Sequence, residues 1–279
     1  MNDPFVSILI VTYNQENFVV EALESALNQS YSNYEIVVSD DGSTDRTPEI
    51  LKRYGLKYPD KLRIILNKYN KGVTANHNIA LLNASGDLLC VMGGDDILLP
   101  NKLDKQVSFM KSNPECIISF HDLEVFDSVS SRILHLFSSQ NIPRNGTVIH
   151  SILYGTFNGA CSTMWRRRDD VIFDERIRRA SDWLFWIEIL ANGGRILYIN
   201  DVLASYRRHD QNVSSITSAR AAFIEHLRTL SIVLMKYPNL SLFVILSLGR
   251  YLLFESVFLM RRLILNFFGN VRNFWSCRF

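Results

Sequence analysis

The sequence predicts an α/β fold: a mostly parallel mixed sheet flanked by helices, followed by a helical extension at the C-terminus. Three observations carry that expectation. Short β-branched runs alternate with amphipathic stretches as far as residue 112, the βαβα order of a parallel sheet covered on both faces. Acidic and small polar residues follow the first, second and fourth of those runs. From about residue 219 onward the pattern turns helical and apolar.

The elements follow in order. VSILIVT (6–12) reads as a strand, FVVEALESALNQ (18–29) as an amphipathic helix and YEIVVS (34–39) as the next strand. Thr47 and Pro48 read as an N-cap and a first-turn proline opening a helix through Tyr58. LRIILN (62–67), TANHNIALLNAS (74–85), DLLCVM (87–92) and NKLDKQVSFMKS (101–112) continue the alternation. Between 116 and 215 the pattern loosens, with strands expected at CIISFHD, STMWR, RILYI and LASYR and a helix at DWLFWIEILAN (182–192). The boundary expected from this reading divides the chain into 1–218 and an extension of 219–279.

Composition sets limits. With 47% hydrophobic and 21% charged residues, the 279-residue chain is globular. Its net charge of +2 is unevenly placed: in residues 240–279, Arg250, Arg261, Arg262, Arg272 and Arg278 stand against Glu255 alone. Attraction to an anionic surface is therefore expected at the C-terminal end, and nucleic acid is not an expected partner. Cys90, Cys116, Cys161 and Cys277 form neither a CxxC pair nor a Cys/His cluster. They read as buried thiols in a reducing compartment. MNDP runs directly into the first strand without a basic, then apolar, leader, so the cytoplasm is the expected location.

Ligands of open parallel sheets bind where the strands release their carboxyl ends. TYNQEN, DDGSTD and GGDD (93–96) fall at those ends. No GxxxxGK[ST] or GxGxxG appears, so neither a P-loop nor a dinucleotide site is supported. Taken singly, DDGSTD and GGDD each read equally well as turns or helix caps. Gathered at one sheet edge, Asp41, Asp95 and Asp96 would repel one another unless a cation or ligand donors satisfied them. A hard divalent ion would do so, and Mn²⁺ or Mg²⁺ usually brings phosphates with it.

VSILIVTYNQ, EIVVSDDGSTD, NKGVTANHN with DLLCVMGGDDILLP, FDE (173–175), SDWLFW (181–186) and YRRHDQNVS (206–214) together resemble the ordered motifs of family 2 glycosyltransferases, inverting enzymes of the GT-A fold. The resemblance covers residues 5 to about 215. It implies that Asp41 receives the nucleobase, usually uracil, and that Thr12, Tyr13 and Asn14 line the same pocket. It also implies that Asp95 faces the ribose or sugar, that Asp96 binds the metal, and that His209 lies near the metal or diphosphate. Asp182 matches the general base. The sequence departs from the commonest pattern at Gly93, where a first aspartate is usual, and at Ser181, where a glutamate is usual. His77 stands where an arginine is common, and Arg207 and Arg208 read either as phosphate partners or as solvated surface. Trp165, Trp183 and Trp186 read as core.

No QxxRW stretch follows Asp182, so transfer of one sugar per encounter is expected over processive synthesis. The expected partners are a UDP-sugar donor and a glycan or lipid-linked glycan acceptor, with a homo-oligomer also open. Arg250, Arg261 and Arg272 recur every eleven residues, which on one helix makes a basic stripe suited to peripheral membrane contact through 240–279. A helical pair packed on the catalytic domain or on a second copy is the alternative. Two rival functions remain at this stage: a sugar nucleotidyltransferase, which should show a basic glycine-rich loop that VTYNQENF lacks, and a non-catalytic nucleotide-sugar-binding protein.

Overall fold

The computed structural model describes residues 3–178, 180–210, 212 and 219–253. Four parallel strands make the first half of the sheet: β1 (Val6–Thr12), β2 (Tyr34–Asp40), β3 (Leu62–Leu66) and β4 (Leu88–Gly93). All seven residues of β1 are buried, as expected of a strand covered on both faces. Successive side chains point to opposite faces. Ile8 and Ile10 therefore join one core with Leu23, Val38 and Leu51, while Leu9 and Val11 join a second with Val37, Leu89 and Trp165. The helices that cover these faces are α1 (Val19–Leu27), α2 (Thr47–Lys57), α3 (Val73–Leu82) and α4 (Lys102–Ser112).

The second half makes the sheet mixed. It contains β5 (Ile97–Leu98), β6 (Cys116–Asp127), β7 (Ile133–Leu136), β8 (Met164–Arg166) and β9 (Arg195–Arg208), with α5 (Val148–Tyr154) and α6 (Ser181–Ala191). Strand order is β3-β2-β1-β4-β8-β6-β9-β5, with β7 paired to β6. β8 runs antiparallel to both β4 and β6. RILYI and LASYR, expected as two strands, are parts of β9. The register passes from His121 opposite Ile199 to Asp122 opposite Val202, so Asn200 and Asp201 bulge out of the ladder and the strand continues. Asp201 is held there by Lys105.

Thr47 corrects a second expectation. It is the first residue of α2, and Arg46 holds the N-cap position without a side-chain cap bond. The Thr47 hydroxyl instead accepts the Gln15 N–H at 2.9 Å, tying the loop after β1 to this helix. Cys90, Cys116 and Cys161 are buried free thiols, whereas Cys277 lies outside the described residues.

α7 (Ala219–Lys236) and the helical run Pro238–Leu253 meet at 119°. A third apolar cluster joins them to α5 and α6 through Ile152, Trp183, Leu184, Leu230, Val233 and Val244. No single helix among the described residues is long and apolar enough to cross a membrane. Arg261 and Arg272 of the expected stripe lie outside the described residues.

Candidate active site

The parallel register sets Thr12 opposite Asp40 and Val11 opposite Gly93. The three acidic loops therefore leave the sheet side by side. In the loop after β2, Gly42 has φ +70°, and a Cβ there would come within 2.6 Å of the Tyr69 backbone, so glycine is required. Asp41 is 2% exposed. One of its oxygens accepts the Lys71 N–H at 2.8 Å and the other the Gly72 N–H at 2.9 Å. Asp45 accepts from Glu16 and Thr47 N–H groups. The density of aspartates in DDGSTD is thus explained locally: they satisfy the backbone donors of neighbouring loops. A carboxylate has about four acceptor sites, so Asp41 keeps capacity for a ligand donor.

Asn14 takes a left-handed conformation, φ 51°, and its side-chain oxygen accepts the Thr44 N–H at 2.8 Å. Tyr13 is exposed, and Thr12 is buried. Thr12 Oγ1 and Gln15 Oε1 are buried without a hydrogen-bond partner among the described residues. Both crowd Gly94, where a Cβ would lie 2.9 Å and 2.6 Å from them. Buried polar atoms are nearly always satisfied, so this pair marks a place where ligand polar groups fit.

The GGDD loop is fastened from β9. Arg207, a candidate phosphate partner in the sequence, is instead 5% exposed and bound to protein. Its Nε donates to the Asp95 carbonyl at 2.7 Å, and its terminal nitrogen pairs with Glu21 of α1. Its guanidinium lies between the Phe18 and Phe126 rings, at 4.9 and 4.6 Å. His209 Nε2 is hydrogen-bonded to Asp95 Oδ2 at 2.8 Å, with Asn212 Nδ2 at 3.4 Å from the same oxygen and Phe18 against its ring. Asp96 is buried. Burial first, and Asp95 second, hold its carboxyl well above the usual range.

The like charge of Asp95 beside Asp96 is what a cation between them would relieve. Two carboxylates with hard oxygens suit Mn²⁺ or Mg²⁺, with His209 adjoining through Asp95. Among the described residues no three His, Cys, Asp or Glu side chains converge on one point, so an ion held by Asp95 and Asp96 would need further oxygens from a ligand or water. Gly93 has no room for a side chain while Asp95 stands where it does: a Cβ there would fall 2.3 Å from Asp95 Oδ1.

Asp96 and Asp182 line the same cavity, of about 760 Å³, with His77, Cys161, Trp183, Trp186, Glu225 and His226 also in its wall. Asp182 lies in the first turn of α6. Burial pushes its carboxyl up to about 6, against an opposing hydrogen bond from the Trp183 N–H. The start of α6 is held by α3, where Thr74 Oγ1 donates to the Ile177 carbonyl at 2.7 Å and lies 3.2 Å from Ser181 Oγ. Ser181 is buried, so a glutamate there would need its own charge partner. His77 bonds the Val73 carbonyl through Nδ1 and stacks on Phe173, and burial lowers it to about 4. Trp165 is core, edge-on to Phe185 and Trp186.

Sequence reasoning missed Thr74, Asn76 and Asn78, three buried polar residues of α3. Asn76 donates to the Ser39 carbonyl at the end of β2, and Asn78 bonds both backbone groups of Phe173. The available signal was polar residues recurring where a packed helix should be apolar. Asn212 was passed over inside a motif already noticed for its histidine.

Residues 7–173 match the family described as "Glycosyl transferase family 2". "Putative glycosyltransferase EpsE" of Bacillus subtilis is 33% identical over 207 residues, 73% of each chain. An uncharacterized protein of Mycobacterium tuberculosis, Rv1520, is 32% identical over 75% of this chain, which spans 60% of that relative's length. Among solved structures, S. aureus TarS 1-349 in complex with UDP-GlcNAc superposes with a TM-score of 0.66 at 23% identity, covering 82% of this chain and 66% of that one. Mannosyltransferase PcManGT from Pyrobaculum calidifontis, in complex with GDP-Man and Mn²⁺, superposes with a TM-score of 0.56 at 16% identity, covering 90% and 88%. At these identities the structural likeness speaks for the fold, a GT-A Rossmann-like α/β architecture.

Proposed function

The chain belongs to glycosyl transferase family 2, and from that membership we propose that it transfers one sugar, with inversion, from a UDP-sugar to an acceptor hydroxyl. The observation that carries the reading is the single cavity with Asp96 and Asp182 in its wall. Residues 1–218 carry the chemistry, and 219–279 are an extension whose helix α7 adds Glu225 and His226 to that wall.

Thr12, Tyr13, Asn14 and Asp41 hold the nucleotide, with Thr12 Oγ1 and the remaining lone pairs of Asp41 as its polar contacts. Asp95, held in place by His209, meets the ribose or sugar, and Asp96 holds the cation with His209 close by. Bound Mn²⁺ or Mg²⁺ supplies charge stabilisation to the departing diphosphate. Asp182, raised to about 6, is mostly ionised at neutral pH yet basic enough to share a proton in a transition state. It takes the proton of the acceptor hydroxyl as that oxygen bonds to the anomeric carbon and the bond to the diphosphate breaks. The UDP-GlcNAc held by the TarS structure supports a UDP-sugar, and the likeness to the putative glycosyltransferase EpsE supports transfer of a sugar; the acceptor of this reading is a glycan or lipid-linked glycan.

The test is turnover of UDP-, GDP- and dTDP-sugars with Mn²⁺ or Mg²⁺ by the wild type, Asp96→Asn and Asp182→Asn. One donor should turn over, both substitutions should abolish transfer, and only Asp96→Asn should weaken metal-dependent nucleotide binding. Nucleotide binding without turnover of any donor, even with a membrane lipid extract as acceptor, would overturn the reading in favour of a binding protein.

A further inference from the structure

The helical run Pro238–Leu253 has two apolar faces, and among the described residues only one is buried. At about 100° per residue, Leu240, Val244 and Ser247 fall on one side, and all three are buried. Val244 and Leu240 pack in the cluster with α6 and α7, and Ser247 donates to the Ile152 carbonyl of α5. Leu242, Ile245, Leu246 and Leu252 fall on the opposite side within an arc of about 120°. They are 61%, 62%, 51% and 49% exposed. A soluble helix normally turns polar residues outward, and such a contiguous apolar stripe marks an interaction surface.

Charge identifies the occupant. Residues 219–253 carry Arg220, Arg228, Lys236 and Arg250 against Glu225, and Glu225 is buried, accepting the Ala180 N–H. Lys236 is paired with Glu188. The exposed charge left on these two helices is cationic, and the sequence beyond adds Arg261, Arg262, Arg272 and Arg278 against Glu255. A second copy docked across a two-fold axis would set these like charges against each other. An anionic surface would not.

We propose that the stripe Leu242/Ile245/Leu246/Leu252, with Arg250 beside it on the same run and Arg228 exposed on α7, docks this chain on the surface of an anionic lipid bilayer, with the run lying in the interface. The buried opposite face and the 119° turn at its start favour lying on the membrane over crossing it. α7 links this face to the chemistry. Its Glu225, His226 and Thr229 line the catalytic cavity, so a bilayer against the neighbouring run would lie beside the cavity's α7 wall and present an acceptor carried on lipid. That last step rests on the transferase reading, and the docking itself does not.

The test is flotation of the full chain with vesicles of zwitterionic lipid, with and without about one third anionic lipid. The wild type should float only with the anionic vesicles, and less so as salt rises. Ile245→Glu with Leu246→Glu should cut the bound fraction about tenfold or more while leaving the melting temperature and soluble donor turnover unchanged. Arg228→Glu with Arg250→Glu should remove the preference for anionic lipid. A wild type that binds neither vesicle overturns the proposal, as does a stripe variant that floats like the wild type. Light scattering that finds a dimer which the stripe substitutions dissociate would assign the face to a second copy instead. Flotation without sugar transfer would keep the docking surface and discard the enzyme reading.

Discussion

The backbone N–H of Arg207 donates to Oδ1 of Asp96 at 3.2 Å, while the same residue's guanidinium holds the Asp95 carbonyl and Glu21. One residue of β9 thus fixes the Asp96 carboxylate and the Asp95 backbone in the loop after β4. Arg207→Met keeps the apolar packing between Phe18 and Phe126 but leaves the Asp95 carbonyl unpaired in a buried place. A loss of about 2–4 kcal/mol is expected, together with a rise in the metal concentration needed for half-maximal activity. Glu21→Gln should cost less, about 1 kcal/mol or under, because Glu21 is largely exposed. Denaturant melts and metal titrations of the two variants check the order.

Gly93 is one of the two positions expected from the resemblance to depart from the common motif, and Asp95 leaves no room there for a side chain. A Cβ at 93 would sit 2.3 Å from Asp95 Oδ1, and that carboxylate is held on its other side by His209 and Asn212. Gly93→Ala should therefore push Asp95 off His209, lowering transfer about tenfold and stability by about 1 kcal/mol. Gly93→Asp should not raise metal affinity unless Asp95 moves. Calorimetric titration of Mn²⁺ with nucleotide present decides it: tighter binding by Gly93→Asp with full activity would contradict this account.

The first four strands were legible because each is a short apolar run closed by polar residues, and local pattern alone defines such a unit. The acidic loops were legible for the same reason. β5, only two residues long, and the junction of RILYI and LASYR inside β9 were not, since both depend on pairing with chain distant in sequence. Asp41 and Asp96 stood out by residue type and position, and Asp182 through the family resemblance alone; the partners of all three did not. Arg207 looked like a surface or phosphate-facing cation because nothing local reveals that Glu21, 186 residues away, receives it. Thr74, Asn76 and Asn78 were hidden by the same limit: a buried polar side chain has meaning only through the backbone it meets.

Asp41 has a structural duty that can be separated from ligand binding. Its two oxygens accept the Lys71 and Gly72 N–H groups, so Asp41→Asn turns one acceptor into a donor facing a donor. The turn after β3 should loosen, at a cost of about 1–3 kcal/mol. Hydrogen exchange at Lys71 and Gly72 should rise even without nucleotide. If exchange is unchanged while nucleotide affinity falls, Asp41 acts on the ligand alone.

Asp182 couples stability to activity in opposite directions. Its carboxyl is raised by burial from 3.8 to about 6, so the folded state holds a proton more tightly than the unfolded chain does. The sign follows from linkage: below about pH 4 both states are protonated and the group is neutral to folding. Between about pH 4 and 6 ionisation begins to work against the fold, and above about 6 the whole penalty is present. Asp182→Asn, which keeps an oxygen to accept the Trp183 N–H, removes that penalty. It should raise stability at pH 8 by about 2 kcal/mol, allowing for solvent at the cavity wall, and the gain should vanish by about pH 4. Transfer by the wild type should fall about tenfold per pH unit below about 6 as the base is protonated, and the variant should be inactive throughout. Melting curves and transfer rates over the same pH series measure both. A variant that is less stable than the wild type at pH 8, or a wild-type rate flat through pH 6, would mean that the carboxyl at 182 is neither strained by burial nor the proton acceptor.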